Sequence, residues 1–248
     1  MGFGRLQSLC KSEEQLISPL ATLSKEGWVA WPDFFEAQAD MVALCNDLDD
    51  RFASGEMREA GVKGPRAAGP VAYHGAQQRT VLTAVRKTAT CWLDYALPKS
   101  EIEAKLLQYV DAFRMQLGER LGYSFDFEDM EVLYARYPEG GYYKRHSDSH
   151  APGAGVAARD TERTLSFILY LNQSGWTAGD GGELRLHGPL LQNWPHHIDV
   201  APTPGTLLLF FSRDFEHEVL ETRVSRRAIV GWFRVRAPAP PPLFLFEQ

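Results

Sequence analysis

Thr164-Leu165-Ser166-Phe167-Ile168-Leu169-Tyr170-Leu171 reads as one buried strand, a short run of large apolar residues bounded by Arg163 and Asn172. Outward from it, Met130 to Tyr137 precedes, and Glu183 to His187, Ile198 to Val200, Thr206 to Phe211 and Ala228 to Val235 follow, separated by Gly, Pro and Asp clusters. Upstream of Gly122 the period changes from two to three and four. Ser100 with Glu103 predicts a capping box, opening a helix whose stripe is Ile102, Leu106, Val110, Phe113, Leu117 and Leu121, with Gly118 and Gly122 as places to stop. Met41, Leu44, Leu48 and Phe52 set a second helix over Glu36 to Phe52. Ser12 with Gln15 caps a first one through about Leu23, and Trp28 to Trp31 is a short strand ended by Pro32. Helices followed by short strands predict an α+β chain whose β part is a closed barrel or sandwich with helices on one side. Ala53 to Arg79 carries no period and is Gly-rich, which marks a long irregular segment. Pro238, Pro240, Pro241 and Pro242 predict an extended surface strap.

Composition narrows the function classes. Acidic residues outnumber basic ones by 32 to 26, so the chain offers no basic field to a phosphate backbone and nucleic-acid binding is disfavoured. The longest apolar runs, Leu165 to Leu171 and Leu207 to Phe211, are strand length, and no membrane span is expected. Cys10, Cys45 and Cys91 are widely spaced and outline neither a disulfide framework nor a zinc site, which favours a reducing compartment. Met1 to Cys10 lacks the long apolar core of a signal peptide, so the expected location is cytoplasmic, or nuclear in a eukaryotic cell. There is no GxSxG elbow, P-loop, HExxH or dinucleotide glycine motif, so hydrolase and nucleotide-dependent readings have no foothold.

Chemistry-bearing residues gather in Tyr137-Pro138-Glu139-Gly140-Gly141-Tyr142-Tyr143-Lys144-Arg145-His146-Ser147-Asp148-Ser149-His150. His146 and Asp148, two apart at a strand end, would share a face and can supply two ligands to a divalent metal. His217, between two strands, is the best candidate for the third. Two imidazoles and one carboxylate leave three positions of an octahedral iron open, as a bidentate cosubstrate plus oxygen requires. The bland alternative is a surface hydrogen bond. Asp148-Ser149-His150 repeats the spacing in reverse; His196-His197 is expected in a solvated turn; His74 and His187 lack a carboxylate partner at useful spacing and read as structural. Arg226 and Arg227 enter an apolar strand, where only one can point inward, at a cost unless it meets an anion such as a carboxylate. Arg226 shares its face with Ala228, Val230 and Trp232, and Tyr170 brings a hydroxyl that needs a partner.

Taken in order, these motifs resemble the iron(II)- and 2-oxoglutarate-dependent dioxygenases, and within them the prolyl hydroxylase family related to the oxygen-sensing enzymes and their bacterial counterparts. The likeness is strongest from Leu133 to Arg236. It runs through Tyr137-Pro138-x-Gly140 before the His-x-Asp, Leu169-Tyr170-Leu171-Asn172 before Trp176, Asp180-Gly181-Gly182-Glu183-Leu184, Gly205-Thr206-Leu207, and His217-Glu218-Val219 with Arg226 nine residues on. The resemblance implies Fe(II) held by His146, Asp148 and His217. It implies 2-oxoglutarate held at its far carboxylate by Arg226 and Tyr170, with Arg227 the runner-up and Tyr137 lining the pocket. Hydroxylation would accompany conversion of 2-oxoglutarate and O2 to succinate and CO2, with ascorbate as reductant. Asp148 itself favours hydroxylation, since halogenases of the superfamily carry a small residue there.

The fold so implied is a double-stranded β-helix, a jelly-roll or cupin-like barrel with supporting N-terminal helices, as a single domain over 1–248. Within it, 1–125 would be helical support and finger loop, 126–236 the β-helix core and 237–248 the Pro-rich tail. The implied substrate is a prolyl residue in a protein. Ala53 to Arg79 lies where relatives carry a mobile loop that closes over a polypeptide, and Arg163 is expected near the entrance. A small-molecule oxygenase acting on an amino acid or natural product, and a non-catalytic binding module, are the alternatives. Oligomeric state is left open.

Overall fold

The computed structural model of the chain describes residues 12–35, 38–60, 84–149, 161–172, 175–188 and 196–236. Its helices are α1 (Glu13–Glu26), α2 (Gln38–Ala53) and α3 (Glu101–Leu121). Strand β1 (Trp28–Trp31) follows α1, and β2 (Arg58–Glu59), β3 (Arg86–Lys87) and β4 (Ala89–Trp92) lie between α2 and α3. After α3 come β5 (Glu131–Tyr137), β6 (Gly141–His146), β7 (Thr161–Tyr170), β8 (Leu184–His187), β9 (Ile198–Val200), β10 (Leu207–Phe211), β11 (Glu216–Thr222) and β12 (Arg226–Arg236).

The helix ends follow their capping chemistry. Ser12 and Gln15 form the reciprocal box, and α1 runs past Leu23 until Gly27 closes it at φ 77°. At α3 only half of the expected box forms. Ser100 accepts from the Glu103 amide, but the Glu103 carboxylate turns inward to Arg51 at 2.6 Å and to the Lys99 amide at 2.6 Å. A buried cation outcompetes the cap because leaving it unpaired costs several kcal/mol, against roughly 1 kcal/mol for a cap. Gly118 does not stop α3; the helix continues to Gly122, in the left-handed region at φ 71°.

The strands form two sheets in which every described pairing is antiparallel. The larger has the order β1-β10-β7-β12-β5-β4-β2 and the smaller β3-β6-β11-β8-β9. Helix α3 faces the larger sheet, with the Phe113 and Phe233 rings 6.5 Å apart and Leu106 and Val110 lining a small apolar pocket shared with Phe167, Leu169 and Ile229. Five strands fall outside the predicted runs: the short β2, β3 and β4, and the pair β6 and β11. That pair is mostly polar, with Lys144 and Arg145 on one and Glu216 and Glu221 on the other, so neither offers the apolar run by which the predicted strands are read.

Among the described residues no helix is long and apolar enough to cross a membrane. Of the irregular segment, Ala53 closes α2 and Arg58–Glu59 pairs with β4. Most of its remainder, together with Cys10, His74, His150 and the Pro-rich tail, lies outside the described residues.

Candidate metal and cosubstrate site

His146 is the last residue of β6, and Asp148 lies in the bend just beyond it rather than on the strand. The pair therefore meets through a turn, not through strand alternation. His217 lies within β11, directly opposite His146 in the antiparallel register. Side chains so placed are nearest neighbours, and the two imidazole centroids are 4.2 Å apart. One ligand atom each from His146, Asp148 and His217 fall within 4.8 Å of one another. The His146 Nε2 is 3.8 Å from Asp148 Oδ1 and the His217 Nε2 is 3.5 Å from Oδ2.

Backbone and side-chain contacts orient each of the three. Nδ1 of His146 faces the Lys144 carbonyl at 2.9 Å and Nδ1 of His217 faces the Phe215 carbonyl at 3.4 Å, so both Nε2 atoms are left for a ligand. Ser166, from β7 of the larger sheet, donates to Asp148 Oδ2 at 2.8 Å and is joined to Ser212. Burial pulls His146 down to about 3, so its ring is neutral at neutral pH. Burial acts to raise Asp148, but His217, His146 and Arg163 outweigh it and hold the carboxyl at about 2. Neutral imidazole and ionised carboxylate are the forms that bind a metal.

The second half of the site belongs to the larger sheet. Arg226 opens β12 and is 1% exposed; Tyr137 of β5 is its cross-strand partner, and Tyr170 of β7 pairs with Ala228. The guanidinium lies 4.9 Å from the Tyr137 ring centroid and 5.1 Å from that of Tyr170. Its Nε donates to the Gly182 carbonyl at 2.8 Å. Among the described residues, the buried Arg226 Nη2 and Tyr170 hydroxyl have no hydrogen-bond partner. Burial pushes the Tyr170 hydroxyl up to about 12, against the pull of Arg226. Such donors are costly to bury unmatched, and one carboxylate would satisfy both.

The remaining expectations divide. Arg227 points the other way, forming a two-pronged pair with Asp49 of α2 at 2.8 Å on each prong. Arg163 lies within β7 rather than ahead of it, stacked on Trp232 at 3.6 Å and donating to Glu131 at 2.7 Å. His187 has a carboxylate partner after all, Glu218 on the adjacent strand at 3.0 Å, a pairing that sequence spacing does not reveal. His196 and His197 are exposed, as expected of a turn. Sequence reasoning missed Ser166 and the Gly182 carbonyl, since a serine in an apolar strand and a backbone oxygen carry no motif of their own.

Residues 132–234 match the model of the 2OG-Fe(II) oxygenase superfamily. The prolyl hydroxylase EGLN3 of Homo sapiens is 30% identical over 186 residues, 73% of this chain and 67% of that protein. The chain belongs to the prolyl hydroxylase-like 2-oxoglutarate and iron(II)-dependent oxygenases. Among solved structures this oxygenase is similar to a Pseudomonas putida prolyl-4-hydroxylase, with a TM-score of 0.67 and 29% identity over 90% of this chain and 100% of that one. It shares its fold with a Trichoplax adhaerens prolyl hydroxylase, solved with a hypoxia inducible factor peptide fragment, at a TM-score of 0.69 and 20% identity over 99% of both chains. The residues fit the family's iron and cosubstrate: His146, Asp148 and His217 form one cluster, and among the described residues the buried Arg226 Nη2 and Tyr170 hydroxyl lack a hydrogen-bond partner.

Proposed function

We propose that this oxygenase hydroxylates a prolyl residue of a polypeptide, using Fe(II) on His146, Asp148 and His217 and 2-oxoglutarate anchored by Arg226 and Tyr170. The observation that carries the reading is the pair of unmatched donors, Arg226 Nη2 and the Tyr170 hydroxyl, in the same molecule as the three-ligand cluster. When bound, the metal and cosubstrate supply the oxidising power that turns 2-oxoglutarate and O2 into succinate and CO2 while the substrate is hydroxylated. The chain's own residues bind and orient. Arg226 gives the far carboxylate a charge-assisted contact, with Gly182 fixing the guanidinium and Tyr137 walling its side. Asp148 is kept ionised beside two histidines whose other nitrogens are turned to backbone carbonyls, a set of three that would leave room on a bound metal for cosubstrate and oxygen.

Support for a polypeptide substrate comes from the prolyl hydroxylase names of the human relative and the Pseudomonas structure. The same reading takes the two sheets as the walls of a double-stranded β-helix in one domain, with the cross-sheet contacts Ser166 to Asp148 and Phe210 to His217 in its favour. Ascorbate as reductant and a cytoplasmic location belong to the proposal too. The test is succinate release by the iron-loaded protein offered proline-containing polypeptides, free amino acids or neither. Polypeptide-dependent release, with one oxygen gained at proline by mass spectrometry, is the expected result. Release stimulated only by free amino acids would replace the reading with a small-molecule oxygenase.

A further inference from the structure

The two imidazoles of the cluster are held in different ways. His217 is 4% exposed, and its ring meets Phe210, a core residue, edge-on at 4.8 Å. His146 ends a strand of the smaller sheet with its side chain 19% exposed. Its flank is the Tyr143 ring, stacked at 3.6 Å between centroids and 22° between planes. The Arg86 guanidinium lies 4.3 Å from the centroid of the same Tyr143 ring. A face already covered at 3.6 Å has no room for a guanidinium, so Arg86 takes the other one.

Strand β3 consists of Arg86 and Lys87 and pairs with β6, setting Arg86 opposite Tyr143. The Lys144 amide donates to the Val85 carbonyl at 2.9 Å and extends that register by one bond. Among the described residues the buried Arg86 Nε has no hydrogen-bond partner, while the guanidinium lies over the Tyr143 ring. A cation on one face draws π density toward itself. The stack on one side and the Lys144 carbonyl at Nδ1 together fix the plane of the His146 ring.

We propose that Arg86 and Tyr143 are a positioning pair for His146, fixing its ring plane so that Nε2 stays aimed at the metal. Neither residue touches the reacting atoms; both act through the imidazole. The proposal rests on the reading of His146 as a metal ligand.

The test is anaerobic titration of the full chain with Fe(II) in the presence of 2-oxoglutarate, following the visible charge-transfer band and the Fe(II) dissociation constant. Variants are Tyr143→Phe, Tyr143→Leu, Arg86→Lys, Arg86→Met and the double Arg86→Met/Tyr143→Leu, with melting of each metal-free protein to confirm folding. Tyr143→Phe keeps the ring and should keep native affinity. Tyr143→Leu and Arg86→Met should weaken Fe(II) binding by about 10- to 100-fold, the usual effect of losing an outer partner of a ligating histidine, and shift the band. Arg86→Lys, which keeps the cation, should recover most of the loss seen with Met. The double variant should bind no more weakly than Tyr143→Leu, because the guanidinium acts through the ring. Native affinity and an unshifted band in folded Tyr143→Leu, or losses that simply add in the double variant, would overturn the proposal. If Tyr143→Leu fails to fold, the contrast between Arg86→Met and Arg86→Lys decides. Absence of a band in the unsubstituted protein would instead remove the metal-site reading itself, an outcome distinct from equal binding by all variants.

Discussion

At Asp148 the orienting contact comes from the opposite sheet. Ser166 donates to Oδ2 and is linked onward to Ser212, both serines being fully buried. Ser166→Ala should weaken Fe(II) binding about 10- to 100-fold and cost about 1–3 kcal/mol of folding free energy for the hydrogen-bonding groups left without a partner, checked by metal titration and urea unfolding. Arg226→Met separates the two halves of the site. Fe(II) should still bind, while 2-oxoglutarate loses about 2–5 kcal/mol, read by calorimetry on the metal-loaded protein. The candidate site residues were legible because His-x-Asp, the distal histidine and the arginine nine residues on are side-chain patterns that match the family's in order. Strand alternation showed that only one of Arg226 and Arg227 could point inward; the choice of Arg226 rested on the family resemblance. Ser166 was not, since its partner lies eighteen residues away in sequence on another element.

Elements set these distances through close backbone approaches. The loop ahead of β8 crosses Arg226 at Gly182, whose φ is +74° and where an added Cβ would lie 3.1 Å from Arg226 Cδ and 3.0 Å from Thr222. Gly182→Ala should therefore be strained and displace the guanidinium, raising the 2-oxoglutarate dissociation constant more than that of Fe(II). Helices α2 and α3 are tied by Arg51, which contacts Glu103 at 2.6 Å, Asp47 at 3.1 Å and Glu56 at 3.2 Å. Arg51→Met leaves the Glu103 carboxylate, 1% exposed, without its cation, and a loss of about 3–5 kcal/mol in urea unfolding is expected. The sequence showed all three helices and the apolar strands because periodicity survives in any half-buried element. It hid β6 and β11, which are themselves mostly polar, along with the short β2, β3 and β4, and it promised at α3 a second cap bond that Arg51 takes for itself.

On the scale of the whole molecule, the candidate metal ligands lie on the smaller sheet and the bend that follows β6, and the candidate cosubstrate residues lie on the larger. Occupying both should tighten the entire fold. With Fe(II) and 2-oxoglutarate each at about 100 times its dissociation constant, each site adds about 2.7 kcal/mol, and the first alone should raise the melting temperature by about 5–10 °C for a chain this size. A chelator should reverse that gain. The two sheets also differ in how they are flanked. Arg226 starts β12, which is paired on one side with β5 and on the other with β7, whereas β6 is bordered on one side by the two-residue β3. Deuterium should therefore enter the amides of β6 well before those of β12. Thermal breathing would loosen the metal end of the metal-free protein first, while the cosubstrate anchor keeps its shape, ready for 2-oxoglutarate before the other end has closed.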